Sequence, residues 1–143
     1  HPTMGAKILS AHDAFKVWLY VVERAGWWDP QRETLCSIFT DHRGNVDGFY
    51  LASLGGKTSA SLDAGLLLRP VILTGSARLF LFHNHPSGGV DPSAEDISST
   101  AALAQACKLF DVTLVDHLII GTRGEPHEYD WNNLRLNYPS AFA

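Results

Sequence analysis

The sequence predicts a mixed α/β domain in which helices and strands alternate and pack in layers. An amphipathic helical pattern precedes two strand-like segments, and two short apolar runs later in the chain flank a second long helical pattern. Strands interleaved with helices are typical of layered α/β folds. A chain of 143 residues is long enough for one such domain with a single core. We therefore interpret residues 1–143 as one domain.

The first predicted elements are a capped helix and a β-hairpin. Ser10 is followed three residues later by Asp13, and apolar residues then recur at helical spacing up to Gly26. This pattern predicts a helix that Ser10 caps. The segments ETLCSIFT at 33–40 and VDGFYLASL at 46–54 flank the turn-forming stretch DHRGNV, so we expect them to pair as antiparallel strands.

The middle of the chain contains an ambiguous helix followed by a strand. The segment SLDAGLLLRPVILT at 61–74 has a helical pattern, but Pro70 removes a backbone donor within it. The helix is therefore either kinked at Pro70 or begins there. ARLFLFH at 77–83 is a short apolar run between Gly75 and a Pro-Gly loop, which indicates a buried central strand.

A second long helix and a further strand follow. Either Asp91 or Ser93 is expected to cap a helix that has Pro92 at or near its first turn and continues to about Phe110. The segment VTLVDHLIIG at 112–121 then predicts another strand. The chain alternates between the two element types along most of its length.

Neither end of the chain carries a clear pattern. Residues 1–9 are expected to be a flexible terminus or residues added for expression. Residues 122–143 mix turn-forming and aromatic residues, and we assign no element to this tail. The segment LASLGGKTSASLDAG at 51–65 is interpreted as a surface loop, with one wall of a substrate groove as the alternative.

Charge and composition exclude several functional classes. The net charge is −4 and no run of Lys or Arg is present, so a nucleic-acid partner is not expected. Trp27 and Trp28 lack the interleaved cations of a base-stacking surface and are expected to take part in hydrophobic packing. Cys36 and Cys107 form no disulfide or metal-binding pattern, which favours a reducing compartment such as the cytoplasm. No apolar run approaches the ~20 residues of a membrane span.

The stretch HNHPSGGVDPSAED at 83–96 contains the residues with the strongest chemical signal. Alternate side chains of a strand share a face, so His83 and His85 are expected to lie together at the strand end, with Asn84 pointing the opposite way. The Pro-Gly loop can return the next helix to this point and bring Asp96 close. Two neutral imidazoles and one carboxylate are a ligand set expected of catalytic Zn²⁺, with a fourth position for water. An H-x-H pair alone is also common in structural roles.

The same stretch matches the pattern H-x-H-P-x(6)-S-x-x-D and resembles the JAMM (MPN-plus) metalloprotease-like domains, most of all their bacterial RadC-like branch. The segment VDHLIIG at 115–121 strengthens this likeness, which covers about residues 30–121. The resemblance implies a three-layer α-β-α fold with a mixed sheet, similar to that of cytidine deaminases. It also implies one Zn²⁺ per chain and hydrolysis of an amide or isopeptide bond by a metal-activated water.

The resemblance further implies a role for each residue that matches the motif. His83, His85 and Asp96 correspond to the metal ligands, and Ser93 corresponds to the residue that stabilises the tetrahedral oxyanion. The family also has an upstream glutamate at the start of a strand, for which Glu33 is the best match. Glu33 would act as the general base that takes a proton from the zinc-bound water and delivers it to the leaving amine.

Some of these residues have a second interpretation. Glu23 and Asp47 are alternative carboxylates for the base, because no fixed spacing ties Glu33 to the motif. Ser93 is also a suitable helix cap, and the two roles are compatible. His117 is either a partner of a metal ligand or a core histidine.

Four functions are considered, of which the first two are favoured. The first is a zinc-dependent peptidase or isopeptidase acting on a peptide, an isopeptide or a small amide. The second is a non-catalytic metal-binding or interaction module with the same fold. A zinc deaminase is disfavoured because the chain lacks the P-C-x-x-C segment of that class. A nucleic-acid-associated factor is disfavoured by the charge, and the sequence leaves the substrate and the oligomeric state open.

Overall fold

A five-stranded mixed sheet lies between two helical layers, which confirms the predicted α/β class. The structure is a computed structural model, and it describes residues 5–54, 62–125 and 128–143. Its elements in chain order are α1 (Ala11–Arg24), β1 (Thr34–Thr40), β2 (Val46–Ser53), α2 (Ala64–Thr74), β3 (Arg78–His85), α3 (Ala94–Lys108), β4 (Thr113–Gly121), β5 (Asp130–Asn133), α4 (Leu134–Asn137) and a 3-10 helix at Pro139–Phe142.

The sheet has the strand order β2-β1-β3-β4-β5. The predicted hairpin forms, since β1 pairs antiparallel with β2, and β1 also pairs antiparallel with β3. The strands β3 and β4 are parallel, while β5 is antiparallel to β4. The strand β3 therefore occupies the centre of the sheet, as its apolar sequence predicts.

Alternate residues of β3 contact two different cores. Leu79 and Leu81 pack with α2 and α3 on one face, whereas Phe80 and Phe82 pack with α1 on the other. The side chains at these four positions are almost completely buried. This alternation creates the three-layer α-β-α arrangement and determines which face each residue at the end of β3 will use.

The two ambiguous helix starts are now assigned. The helix α2 runs through Pro70 and is capped by Asp63, whose side chain accepts a hydrogen bond from the Leu66 N–H at 3.1 Å. The expectation that it could begin at Pro70 is therefore wrong. The side chain of Ser93 caps α3, and Pro92 precedes this cap, so it lies outside the first turn. The first helix has the predicted cap, Ser10.

Both chain ends contain more structure than the sequence predicts. Ile8 is 2% exposed, and its N–H donates to the Gly44 carbonyl at 2.8 Å, so the end of the 1–9 segment is part of the domain. Residues 1–4 lie outside the described residues, as do 55–61 of the predicted surface loop. In the 122–143 tail, β5 extends the sheet and Phe142 joins the core beside α2 and α3.

The environment of both cysteines agrees with the sequence expectation of free thiols. Cys36 and Cys107 are unpaired and buried. In residues 5–54, 62–125 and 128–143, no helix combines the length and the apolar character needed to cross a bilayer.

Candidate metal centre

The end of β3 places two imidazole rings side by side. His83 and His85 point to the α3 face of the sheet, and their ring centroids are 4.6 Å apart with an interplanar angle of 85°. His83 is 1% exposed, whereas 18% of the His85 side chain is exposed. The predicted convergence of the two rings is therefore present, with one ring deeper than the other.

The loop after His85 returns the chain to the same point. The Gly88 N–H donates to the His85 carbonyl at 3.0 Å, and Gly88 has a positive φ of 91° that favours glycine. Its backbone lies against Gly121, the last residue of β4, where a Cβ would collide with it. The Asn132 side chain, on β5, donates to the Val90 carbonyl at 3.2 Å. These contacts hold the loop against the sheet.

The start of α3 brings Asp96 close to both rings. Its Oδ1 lies 3.7 Å from His83 Nδ1, and its Oδ2 lies 3.7 Å from His85 Nε2. Only 1% of Asp96 is exposed. Asp96 Oδ2 also accepts the Ser93 N–H at 2.9 Å, while Ser93 Oγ accepts the Asp96 N–H at 3.0 Å. This reciprocal capping box fixes the carboxylate and establishes the capping role of Ser93.

Glu33 approaches the same site from β1. Its Oε1 lies 3.9 Å from His83 Nε2, and 35% of its side chain is exposed. Partial burial raises the pKa of Glu33, although the neighbouring His85 lowers it. Glu33, His83 and His85 each offer a ligand atom, and these atoms lie within 4.8 Å of one another. The three residues therefore form a group that could hold a metal ion.

The two imidazoles present nitrogen lone pairs to this site. His85 Nδ1 lies 3.0 Å from the Gly89 carbonyl, which can only accept, so Nδ1 carries the proton and Nε2 is free as a ligand. Such a second hydrogen bond is typical of metal-binding histidines. Both ring nitrogens of His83 are buried and without a hydrogen-bond partner among the described residues. Since buried polar atoms are rarely left unpaired, this arrangement fits a metal ligand.

The electrostatics of the two rings differ. Burial lowers the pKa of His83 to about 4, so this imidazole is neutral near pH 7. The adjacent Asp96 carboxylate raises the pKa of His85. Neutral imidazole is the form that binds a metal, and a bound cation would displace a proton from His85.

His117 supports the site indirectly from β4. Its Nδ1 lies 2.7 Å from Thr100 Oγ1, which itself donates to the Asp96 carbonyl at 2.6 Å. Because the hydroxyl proton is used in that second bond, His117 Nδ1 must be the donor to Thr100. Burial lowers the pKa of His117 to about 3. His117 is thus a neutral core histidine that is linked through Thr100 to the backbone of Asp96.

The alternative carboxylates lie elsewhere. Asp47 accepts a hydrogen bond from Ser76 at 2.6 Å, at the end of the sheet opposite His83. Glu23 is on α1, which packs on the other face of the sheet. The structure therefore brings Glu33, and neither of its two alternatives, to the histidine pair.

The two tryptophans differ in how far they are buried, and Trp28 is partly buried against the core. Trp28 packs edge-on against Trp18 with centroids 5.8 Å apart, as expected. Trp27 is 53% exposed, so the expected hydrophobic packing is limited at this residue.

A cavity of about 470 Å³ lies at the carboxyl ends of β3 and β4. Two of its lining residues, Pro86 and Ser87, follow His85 in the chain, and two others, Pro30 and Gln31, precede Glu33. The lining residues are Pro30, Gln31, Pro86, Ser87, Thr122, Arg123 and Gly124. The cavity thus combines neutral polar groups with a single cationic side chain.

This fold and its histidine pair define a JAB/MPN-like α/β domain. The sequence model of the RadC-like JAB domain matches residues 10–129, and the chain belongs to that family. Curated relatives include a UPF0758 protein of Acidithiobacillus ferrooxidans, which is 41% identical over 98 residues covering 68% of this chain and 43% of the relative. A UPF0758 protein of Picosynechococcus sp. is 31% identical over 126 residues, 82% of this chain and 51% of the relative. The chain spans about half, or less, of the length of these relatives.

Proposed function

We propose that this domain is a zinc-dependent metallohydrolase that cleaves an amide or isopeptide bond. The observation that carries the proposal is the pair of adjacent imidazole rings beside two carboxylates of very different exposure. A buried carboxylate suits a metal ligand, whereas a partly exposed one suits proton transfer with solvent and substrate. The family likeness supports the same assignment.

The metal would be held by His83, His85 and Asp96. Ligand atoms on a tetrahedral Zn²⁺ with bonds of about 2.0–2.1 Å are roughly 3.3 Å apart. Asp96 faces both rings at 3.7 Å, through Oδ1 to His83 Nδ1 and through Oδ2 to His85 Nε2, so a modest rearrangement around a bound ion would bring one of its oxygens into the ligand set. Glu33 also offers a ligand atom within 4.8 Å of both histidines, but 35% of its side chain is exposed, which suits proton transfer with solvent and substrate. When bound, Zn²⁺ polarises a carbonyl and makes water more acidic.

Glu33 would act as the general base and then as the general acid. Its carboxylate accepts a proton from the attacking water as the new C–O bond forms, and it delivers that proton to the leaving nitrogen as the C–N bond breaks. Partial burial raises the pKa of Glu33 toward the working range of such a group. The carboxylate is regenerated at the end of the cycle, so no other reactant is required.

Ser93 is suited to stabilise the oxyanion. Its hydroxyl oxygen accepts the Asp96 N–H, which leaves the hydroxyl hydrogen available as a donor. The Ser93 residue is exposed, so a substrate can reach it. A donor aimed at developing negative charge is a large contribution to acyl-transfer catalysis.

The neighbouring cavity supports a peptide-like substrate. The Gln31, Ser87 and Arg123 side chains supply hydrogen-bond donors along its wall, and these groups match backbone carbonyls or a carboxylate of an extended chain. The two free, buried cysteines support work in a reducing compartment such as the cytoplasm.

The first test is elemental analysis of protein purified without chelators. We expect about one zinc per chain in the wild type, and loss of that zinc in folded His83→Ala, His85→Ala and Asp96→Ala variants. Glu33→Gln should keep the zinc and lose about 10²-fold or more in hydrolysis of peptide and isopeptide conjugates. Absence of metal in the folded wild type would contradict the proposal. Zinc binding without any hydrolysis would leave a non-catalytic metal-binding module.

A further inference from the structure

The side chain of Asn84 lies between the two histidines along β3 but points to the opposite face of the sheet. It is completely buried. Its Oδ1 accepts the Thr34 N–H at 2.7 Å, and its Nδ2 donates to the Arg32 carbonyl at 2.9 Å. These two backbone groups flank Glu33 in the chain. One amide therefore contacts the backbone immediately before and immediately after the proposed base.

Further hydrogen bonds fix the orientation of this amide. Its Oδ1 also accepts the Thr34 hydroxyl at 2.7 Å, and its Nδ2 lies 3.1 Å from Thr122 Oγ1. The Thr122 hydroxyl in turn donates to the Pro30 carbonyl at 2.5 Å. A flipped amide would place its NH₂ against the Thr34 N–H and its oxygen against the Arg32 carbonyl, so only one orientation satisfies the network.

Backbone hydrogen bonds to neighbouring strands fix Glu33 on one side only. Pairing between β1 and β3 ends at Leu35 and His83, two residues after Glu33. On the other side, the Leu54 N–H donates to the Glu33 carbonyl at 3.1 Å. The contacts from the β3 side therefore come from Asn84 rather than from the ladder. Because the side chain of Glu33 extends toward His83, its position depends on this backbone segment.

We propose that Asn84 is a positioning residue that fixes Glu33 beside the histidine pair. The inference rests on the proposed function for the role of Glu33, but the clamp itself is a property of the fold. Because side chains alternate along the strand, the tripeptide at 83–85 can both supply the two imidazoles and position the carboxylate of Glu33. Its outer residues, His83 and His85, supply the imidazoles, and its middle residue sets the distance from these rings to the carboxylate.

The test compares Asn84→Ala with the control Leu118→Ala. Leu118 is fully buried on β4, pairs with Phe82 and faces the same core as Asn84, but it does not contact the segment 30–34 in the hydrogen-bond network. Both variants are compared at matched global stability, adjusted by temperature. Hydrogen exchange of the Thr34 amide should be at least tenfold faster in Asn84→Ala than in Leu118→Ala. Equal exchange rates would overturn the clamp.

A spectroscopic readout tests the consequence for the site. Co²⁺ is used as the probe, and its visible absorption is recorded for the wild type, Glu33→Gln, Asn84→Ala, the double variant and Leu118→Ala. We expect Asn84→Ala to reproduce the spectral change of Glu33→Gln, with one Co²⁺ still bound, and the double variant to show no further change. Leu118→Ala should keep the wild-type spectrum.

The outcomes separate the two proposals. A wild-type spectrum for Asn84→Ala, or a change that adds fully to that of Glu33→Gln, would overturn the positioning role. If the wild type binds no Co²⁺, or if Glu33→Gln leaves the spectrum unchanged, the proposed function of the site fails. The Thr34 exchange rate still decides the clamp in that case, because it does not depend on a metal.

Discussion

Gly121→Ala should damage the metal centre from a position outside it. Gly121 pairs with His85 across β3 and β4, and the backbone of Gly88 lies directly on it. A Cβ at position 121 would lie 2.8 Å from the Gly88 carbonyl carbon and 3.2 Å from its Cα, with the carbonyl oxygen nearer still. These atoms belong to the backbone, so they cannot move aside as a flexible side chain would.

The size of the effect follows from that geometry. The loop must retreat by about 0.6 Å or more to restore an ordinary carbon–carbon separation, and overpacking of this kind costs about 1–3 kcal/mol. The displaced loop carries the Gly89 carbonyl that fixes the ring of His85. Loss of such a supporting contact lowers metal affinity by about 10- to 100-fold. We therefore expect both the free energy of unfolding and the zinc affinity to fall.

Urea unfolding of the metal-free protein and competition with a chromophoric zinc chelator measure the two effects separately. Gly26→Ala is the matched control, because the same methyl group meets no atom within 4 Å there. It should leave zinc affinity unchanged. If Gly121→Ala equals Gly26→Ala in both stability and affinity, the loop is not seated as the structure shows, and the reasoning is refuted.

Three other predictions concern single residues. Ser93→Ala should lower the free energy of unfolding in urea by about 1 kcal/mol through loss of the cap. It should also lower turnover by about 10²–10³-fold at unchanged zinc content. A turnover loss that corresponds to no more free energy than the loss in stability would show that Ser93 acts only as a cap. Burial raises the pKa of the Cys107 thiol to about 11 from an ordinary 9, so its contribution to stability is complete below pH 9 and is lost as pH rises toward 11. The melting temperature of the wild type should therefore fall more steeply over that range than that of Cys107→Ala. Equal slopes of melting temperature against pH in the two proteins would contradict the raised pKa of Cys107. Pro70→Ala should raise the melting temperature, because alanine restores a backbone donor inside α2 at a gain of at most ~3 kcal/mol; an unchanged or lower value would show that Pro70 contributes packing that outweighs this donor.

Local sequence patterns predicted most of the fold. The Ser10 cap, the hairpin and the central strand depend on short-range signals, namely a capping side chain, a turn and an apolar run. The strand β5 has only four residues, which is too short for a detectable period. It pairs with β4, and Asp116 adds two contacts by accepting hydrogen bonds from the Asn133 side chain at 3.1 Å and the Arg135 N–H at 3.0 Å. Such tertiary contacts leave no local pattern.

The candidate site was predictable to a similar extent. Strand alternation was sufficient to expect His83 and His85 on one face, and the Pro-Gly loop explained the return of Asp96. The contact of Asn84 with Thr34 was not evident, because the two residues are 50 positions apart in the chain. The same limitation applies to the bond between Thr100 and His117. In both cases the signal is a buried polar residue whose partner only the folded chain reveals.

Because side chains alternate at the end of β3, the candidate site can form only when this strand is in its native register. A shift of one residue would turn Asn84 toward α3 and both histidines toward α1, because neighbouring side chains of a strand lie on opposite faces. Such a misfolded chain would lose the candidate metal site and the proposed Asn84 clamp together. A metal that binds only the native pairing stabilises it by mass action. Metal loading would then act as a selection step during folding, favouring molecules in which β1, β3 and β4 are correctly aligned.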